Sequence, residues 1–350
     1  MPICMSAITL NTILVIRISS IGDIILTTPF LRVMKARHPG CRVHFAVRKE
    51  FISLLAHNPH IDRIIPIDTS LGRNALRTLN IRLLKEGYDA VFDLHNNFRS
   101  RTLRNGLSRR IHIINKRTLR RSLLVHLHWN TFQDIVPVPE RYIETAHEYG
   151  IRPDIDGPKL FPTEDEEGNA RLKLRAAGWN PDASTIGLCP GAKHATKRWP
   201  EDRAEGLVRR LLENGHEIII FGSESEEYIG HRLRSLDPSS VHNCSGRLTL
   251  LETAAAMQLC TFLITNDSGL MHMGTAVSRP VIALFGSTVR EFGFFPYNSQ
   301  SIVVEADNLS CRPCTHIGRP SCPKKHFACM RNIEVDHVLS AIDEIGSQQI

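Results

Sequence analysis

At 350 residues and 39.5 kDa the chain is long enough for two domains of ordinary size. Its 42% hydrophobic and 23% charged residues, with 22 Gly and 19 Pro, exclude collagen, coiled coil and bulk disorder, and Arg17 and Asp23 break the most apolar run before it could span a bilayer. The formal charge of +7 is unevenly held, at +11 for residues 1–150 and −4 for residues 151–350, which assigns an anionic partner to the first half.

The opening segment MPICMSAITLNTILVIR lacks a basic n-region and reads as a first strand rather than a signal peptide, so a cytoplasmic location is expected. Short β-branched runs then alternate with helical stretches, the pattern of parallel βαβ units. ILVIRI (13–18), VHFAVR (43–48), RIIPI (63–67), AVFDL (90–94) and, more weakly, IHIIN (111–115) are predicted strands, with a helix from Ile24 to Ala36. A polar, acidic stretch over 157–184 suggests a linker and an amphipathic helix. TIGLCP (185–190), EIIIFG (217–222), FLITN (262–266) and VIALFG (281–286) are the strands of a second set. The division expected is 1–165, a linker with helix at 166–184, 185–332, and a carboxyl-terminal helix at 333–350 folding back across the domain interface, its apolar positions being Ile333, Val338, Leu339 and Ile342.

Four motifs and one charged stretch carry chemistry. In RISSIGDIILTTPFL (17–31) a strand gives way to a turn at which ligands bind in doubly wound folds. Asp23 there is either a helix cap or a general base facing a substrate hydroxyl. Residues 98–121 hold eight Arg, one Lys and no acid, a composition that favours phosphate contacts over a merely solvated surface. LCPGAKHATKRWP (188–200) combines a glycine turn with Lys193 and Lys197, either a phosphate clamp or an ordinary loop with exposed lysines, since no Walker-type G-K-[ST] is present. The acids of FGSESEEYIGHRL (221–233) follow a strand end, where Glu226 is placed to accept from a ribose diol. In ITNDSGLMHMGTAVSRPVIALFG (264–286), Asp267 and Ser268 cap a helix whose first amides, at Ser268, Gly269 and Leu270, suit a diphosphate, with His272 one turn in. Finally, Cys311, Cys314, Cys322 and Cys329 form a C-x2-C element with a more widely spaced second pair, readable as structural zinc ligands or as unligated thiols.

Taken together, RISSIGDIILTTPFL, PGAKHATKRWP, NDSGLMHMGTAVSRPVIALFG and the terminal cysteine segment resemble, in order and over nearly the whole chain, glycosyltransferase family 9, the family of the ADP-heptose:lipopolysaccharide heptosyltransferases. The C-R-P-C segment with S-C-P and A-C-M looks more like the enzymes that add the second heptose. The resemblance implies a GT-B architecture, α/β, with two Rossmann-like doubly wound parallel-sheet domains facing across a cleft. It implies inverting transfer of a heptose from ADP-heptose to the inner core of a lipopolysaccharide precursor, with no cofactor. Asp23 matches the family's proposed base and Lys197 its donor-phosphate lysine. Gly191, Lys193, Thr196, Glu226, Asp267, Ser268, Gly269, Leu270 and His272 complete the donor set. One departure is the single Thr196 ahead of Lys197, where some relatives carry two hydroxyl residues. The acceptor, a phosphorylated lipid-linked oligosaccharide, falls to Ser19, Ser20 and Gly22 and to Arg99, Arg101, Arg109, Arg110 and Arg120, which would also hold the enzyme peripherally at the inner face of the inner membrane. Within the family another nucleotide-sugar donor is the alternative. A nucleotide-dependent oxidoreductase is disfavoured because no G-x-G-x-x-G follows a strand, and a nucleic-acid binder because no interleaved aromatic pattern is present.

Overall fold

The computed structural model describes residues 9–347; the first eight residues of the expected first-strand segment and the last three of the expected terminal helix lie outside them. In chain order the elements are β1 (Thr12–Ile16), α1 (Ile21–Ile25), α2 (Thr28–Arg37), β2 (Arg42–Arg48), β3 (Arg63–Ile67), α3 (Gly72–Leu83), β4 (Ala90–Asp93), α4 (Phe98–Arg104), β5 (Ile111–Ile113), α5 (Thr118–Leu127), α6 (Val138–Glu144) and α7 (Glu164–Ala176). They continue with β6 (Thr185–Cys189), α8 (Glu201–Glu213), β7 (Glu217–Ile220), α9 (Glu227–Arg234), β8 (Val241–Asn243), α10 (Leu250–Met257), β9 (Phe262–Asn266), α11 (Gly269–Ala276), β10 (Val281–Phe285), β11 (Ser301–Glu305), α12 (Ala328–Arg331) and α13 (Val335–Ser347).

Among the described residues these form two compact α/β units, each on its own parallel sheet. The first sheet has the order β3-β2-β1-β4-β5, and its central strand β1 is buried along its whole length. Leu14, Ile16, Ala46 and Val91 pack with Leu76 and Leu83 of α3 and Leu103 of α4. On the opposite side Phe30 of α2 meets Phe92 edge-on at 5.2 Å. The expected helix from Ile24 to Ala36 is two helices, interrupted at Leu26–Thr27 with Pro29 inside the first turn of α2, where its missing N–H costs no helical hydrogen bond.

The second sheet runs β11-β10-β9-β6-β7-β8, with β6, β9 and β10 wholly buried. Ile186, Ile218, Ile264 and Ile282 form a core with Leu207 and Leu211 of α8. The carboxyl-terminal helix joins this core: Val338, Ala341 and Ile345 of α13 are buried in it.

Two further boundaries differ from those expected. The helix expected within 166–184 is α7, which begins earlier, at Glu164, is closed at its amino end by a capping box between Thr163 and Glu166, and is tied to α10 by Lys173–Glu252 at 2.6 Å. Residues 117–137 belong to the second unit and residues 138–156 to the first. The cause is hydrophobic, since Leu124 and Val125 of α5 pack on Phe292 while Tyr142 and Ile143 of α6 are fully buried in the first unit. Arg117, Arg120 and Arg121 therefore part company with Arg99, Arg101, Arg104, Arg109 and Arg110.

Candidate functional site

In a doubly wound sheet the strand order reverses at one place, and the loops beyond the strand ends there diverge to leave a crevice. The reversal lies between β1 and β4 in the first unit and between β6 and β9 in the second. The chemically loaded motifs follow these four strands.

Beyond β1, the buried Arg17 organises the turn. Its guanidinium donates to the carbonyls of Ser19 (2.9 Å) and Leu94 (2.5 Å) and to Oδ1 of Asp23 (2.5 Å). Asp23 Oδ2 accepts from the backbone N–H (3.2 Å) and hydroxyl (2.9 Å) of Ser20 at the start of α1. Of the two roles open to Asp23, the cap is thus formed, and part of the carboxylate still faces solvent. Burial pushes the Asp23 carboxyl up, but Arg17 and the two Ser20 hydrogen bonds outweigh it, and the net displacement is below the ordinary carboxylate value. Asp23 is an anion at neutral pH.

The loop beyond β4 is built on Asp93, which has no exposed surface. Its carboxylate accepts from the backbone N–H groups of His95 (3.0 Å) and Asn96 (2.7 Å), from the Ser100 hydroxyl (2.8 Å) and from Arg104. Asn96 takes the left-handed conformation this turn needs, with φ 47°. His95 follows, its Nδ1 buried without a partner. Burial and the nearby charges of Arg17 and Lys116 push the imidazole down to about 4, so it is neutral at physiological pH. Neither Arg17 nor His95 stood out in the sequence as a functional residue. Removing the carboxylate in Asp93→Ala strands Arg104 in a nearly dry setting; we expect a loss of about 3–5 kcal/mol of stability in urea denaturation. A loss below about 1 kcal/mol would show the loop to be held otherwise.

In the second unit, Asn266 at the end of β9 clamps the β6 loop, donating to the Pro190 carbonyl (2.7 Å) and accepting from the Trp199 N–H (3.1 Å). This brings Lys197 to Asp267, 2.7 Å apart and largely buried, with the Thr288 hydroxyl also donating to Asp267 (2.6 Å). Ser268 precedes the first turn of α11 with its hydroxyl oxygen buried and without a partner. Gly269 and Leu270 lie in that turn and His272 is buried one turn on. Glu226 Oε2 accepts from the Ser223 N–H (2.8 Å) and hydroxyl (2.7 Å), while Oε1 faces the backbone of Gly191. A Cβ on residue 191 would stand 2.0 Å from that oxygen, so a larger residue there would have to push the Glu226 carboxylate aside.

Thr196 has partners within the protein. Its buried oxygen accepts from the Ser287 hydroxyl (3.2 Å) and the Arg319 N–H (2.9 Å), clasping the cysteine-bearing loop to the β6 loop. Lys193 is exposed nearby. In the first unit Arg99 and Arg101 lie exposed on α4, and Arg109 and Arg110 exposed in the turn before β5; Arg120 is on α5 of the second unit.

The cysteine segment does not form the zinc site the sequence allowed. Among the described residues no three His, Cys, Asp or Glu side chains are placed to hold a metal ion. Cys311 Sγ lies 4.0 Å from Nε2 of His326, and Cys329 is buried, its thiol pushed up to about 11 by desolvation. Cys329 lies on α12, and Cys311, Cys314 and Cys322 are close enough to raise its thiol further, so the four share one neighbourhood.

Each unit thus carries charged groups beyond its strand-order reversal: an anionic carboxylate held by Arg17 in the first, and an ammonium–carboxylate pair beside a helix amino terminus in the second. Comparison with known proteins bears on this directly. Lipopolysaccharide heptosyltransferase 2 of Salmonella typhimurium is 30% identical over 295 residues, covering 80% of this chain and 84% of the relative. Among solved structures, a glycosyl transferase family 9 protein from Veillonella parvula superimposes with a TM-score of 0.79 at 22% identity, over 97% of this chain and 98% of that one. ADP-heptose lps heptosyltransferase II of E. coli does so with 0.74 at 23%, over 97% and 99%. At these identities the superpositions speak for the fold, two parallel-sheet α/β domains of the GT-B kind. The sequence profile of glycosyltransferase family 9 (heptosyltransferase) matches residues 76–325, from α3 to the cysteine segment, and with it the chain belongs to that family and is a glycosyltransferase.

Proposed function

We propose that the chain transfers a heptose from ADP-heptose to the inner core of a lipopolysaccharide precursor, inverting the anomeric centre without a metal ion. The relatives' names support the sugar and the acceptor, and one observation carries the chemistry: Lys197 is held 2.7 Å from Asp267 next to the α11 amino terminus, where Ser268 Oγ is buried and unpartnered. The amides and the Ser268 hydroxyl at that helix start, with the Lys197 ammonium held near them by Asp267, support the binding of a diphosphate there.

In this reading the acceptor hydroxyl oxygen bonds to the anomeric carbon as the bond from that carbon to the diphosphate oxygen breaks. The hydroxyl proton passes to Asp23 and the nucleoside diphosphate departs. Lys197 and the α11 amides stabilise the charge that grows on the leaving diphosphate, the work a divalent metal performs elsewhere. Glu226 Oε1, which has no hydrogen-bond partner among the described residues, accepts from the ribose diol. Arg99, Arg101, Arg109 and Arg110 attract the phosphorylated inner core, and the enzyme attaches peripherally to the cytoplasmic leaflet. Among the described residues no helix is long and apolar enough to cross a membrane.

Calorimetry with ADP, GDP and UDP tests the donor: ADP is expected to bind at least about tenfold more tightly, a difference of about 1.4 kcal/mol. Product formation from ADP-heptose is expected to persist in EDTA, with NMR showing the inverted anomer. Tighter binding of GDP or UDP would assign another nucleotide sugar, and loss of rate in EDTA would remove the metal-free mechanism.

A further inference from the structure

On the first unit, α3 and α4 present an outer face with an unusual make-up. Leu76 and Leu83 turn α3 inward, and Asn80 ties it to α4 by donating to the carbonyls of Leu103 (2.7 Å) and Asn105 (2.8 Å). Helical spacing then puts Arg73, Arg77, Ile81 and Leu84 on one outward stripe. Phe98 and Arg101, three residues apart on α4, lie beside it. The two helices are joined at this surface as well: the Arg73 guanidinium sits over the Phe98 ring, 4.6 Å from its centroid, and Leu84 Cδ2 lies 3.8 Å from where a Cβ on Gly106 would stand. Ile81 is 61% exposed, Leu84 48% and Phe98 60%.

The charges on this face are not those of an ordinary solvated helix pair. In the second unit surface cations meet acids: Arg232 meets Glu201 at 2.7 Å, and Arg203 pairs with Glu334. Arg73, Arg77, Arg82, Lys85, Arg99 and Arg101 have no acidic partner among the described residues. The acids within 69–110 are Glu86, Asp89 and Asp93, and each is engaged: Glu86 by Arg63 (2.7 Å), Asp89 by the Asn11 and Thr12 N–H groups, and Asp93 by Arg104. A surface of unpaired arginines alternating with half-exposed Ile, Leu and Phe repels itself in water and leaves apolar area wet. It is satisfied where anionic headgroups lie over acyl chains. A nucleic acid or acidic protein would match the charge but not the aliphatic stripe. α5 also exposes Leu119 and Leu127, but Arg120 is its one fully exposed arginine.

We propose that the α3–α4 face is a docking surface for an anionic lipid bilayer, with Ile81, Leu84 and Phe98 entering the headgroup boundary and Arg73, Arg77 and Arg101 over lipid phosphates. It rests on the peripheral attachment proposed above and names the surface that achieves it.

The test is co-sedimentation of the full chain with phosphatidylethanolamine vesicles with or without phosphatidylglycerol. The wild-type chain is expected on the anionic vesicles alone. The pairs Arg73→Glu/Arg77→Glu and Ile81→Ser/Leu84→Ser should each lower partitioning more than about tenfold, with near-UV circular dichroism and transfer to a delipidated acceptor unchanged. Leu119→Ser/Leu127→Ser on α5 should bind like wild type. If the α5 pair releases the protein and the α3 pairs do not, the surface is wrongly assigned while peripheral attachment stands. If only the charge reversal matters, the face is held at the bilayer by charge alone, and the entry of Ile81, Leu84 and Phe98 into the headgroup boundary is overturned. A wild-type chain that ignores both vesicles overturns peripheral attachment itself.

Discussion

Asp23→Asn is expected to lower turnover by about 10²–10⁴-fold while leaving donor affinity nearly unchanged, because a base acts on the acceptor only as its proton leaves. The substitution is nearly isosteric and the amide oxygen can still accept from Ser20, so the cap survives while the negative charge is lost. The pH dependence separates the two roles further. Arg17 and Ser20 hold the Asp23 carboxyl below its ordinary value against the upward push of burial. A carboxylate lowered in the folded state stabilises the fold above its unfolded pKa, and that contribution disappears as pH falls through the folded pKa. Rate and stability from this group should therefore be flat through neutral pH and decline only in acid. Arg17→Met removes the cation and leaves the burial, so the acid limb of the rate profile should move to higher pH. Wild-type turnover in Asp23→Asn would leave the residue a cap and nothing more.

Lys197→Ala should act at both binding and transfer, costing about 2–4 kcal/mol in kcat/KM, since the ammonium faces charge already present on the bound diphosphate and more as it leaves. The structure adds a complication of its own. Lys197 is the cation paired with the buried Asp267 carboxylate, which also accepts from the Thr288 hydroxyl. Its removal leaves that charge poorly compensated and should also lower stability. Lys197→Arg keeps a positive charge beside Asp267 and is the control: stability should recover more fully than transfer, because a planar guanidinium does not reproduce the position of a point charge. Unchanged ADP affinity and unchanged rate in a folded Lys197→Ala would take the residue out of the donor site.

What the sequence shows and hides follows from the range of the interactions. Strands β1, β6, β9 and β10 are continuous apolar runs because parallel strands are buried on both faces, and each is readable alone. β8 is only Val241–Asn243, held through His242, whose ring meets Glu217 at 3.0 Å; its polar letters read as loop. β11 is an edge strand, half-buried throughout, whose apolar run is only Ile302, Val303 and Val304 between Ser301 and Glu305. The motif turns are legible because they follow strands. The partnerships inside them are not: Lys197 and Asp267 are seventy residues apart and meet through the adjacency of β6 and β9. Arg17 reads as an interruption of an apolar run, and only the folded turn shows that it orients Asp23. The basic stretch 98–121 is a single block of letters divided between two cores, since Leu124 and Val125 choose Phe292.

That division bears on how the chain matures during synthesis. The polypeptide leaves the first unit after Lys116, contributes 117–137 to the second, and returns at Val138 before departing again at Gly157. A nascent chain halted at Lys116 has all five strands of the first sheet but lacks α6, whose Tyr142 and Ile143 complete the interior. Once those arrive, α5 is out of the ribosome with Leu124 and Val125 and must wait for Phe292, which lies beyond β10, before it can be covered. Throughout that interval the first unit can be finished while a basic, apolar segment trails from it, the kind of exposed surface that recruits chaperones or sticks to its neighbours.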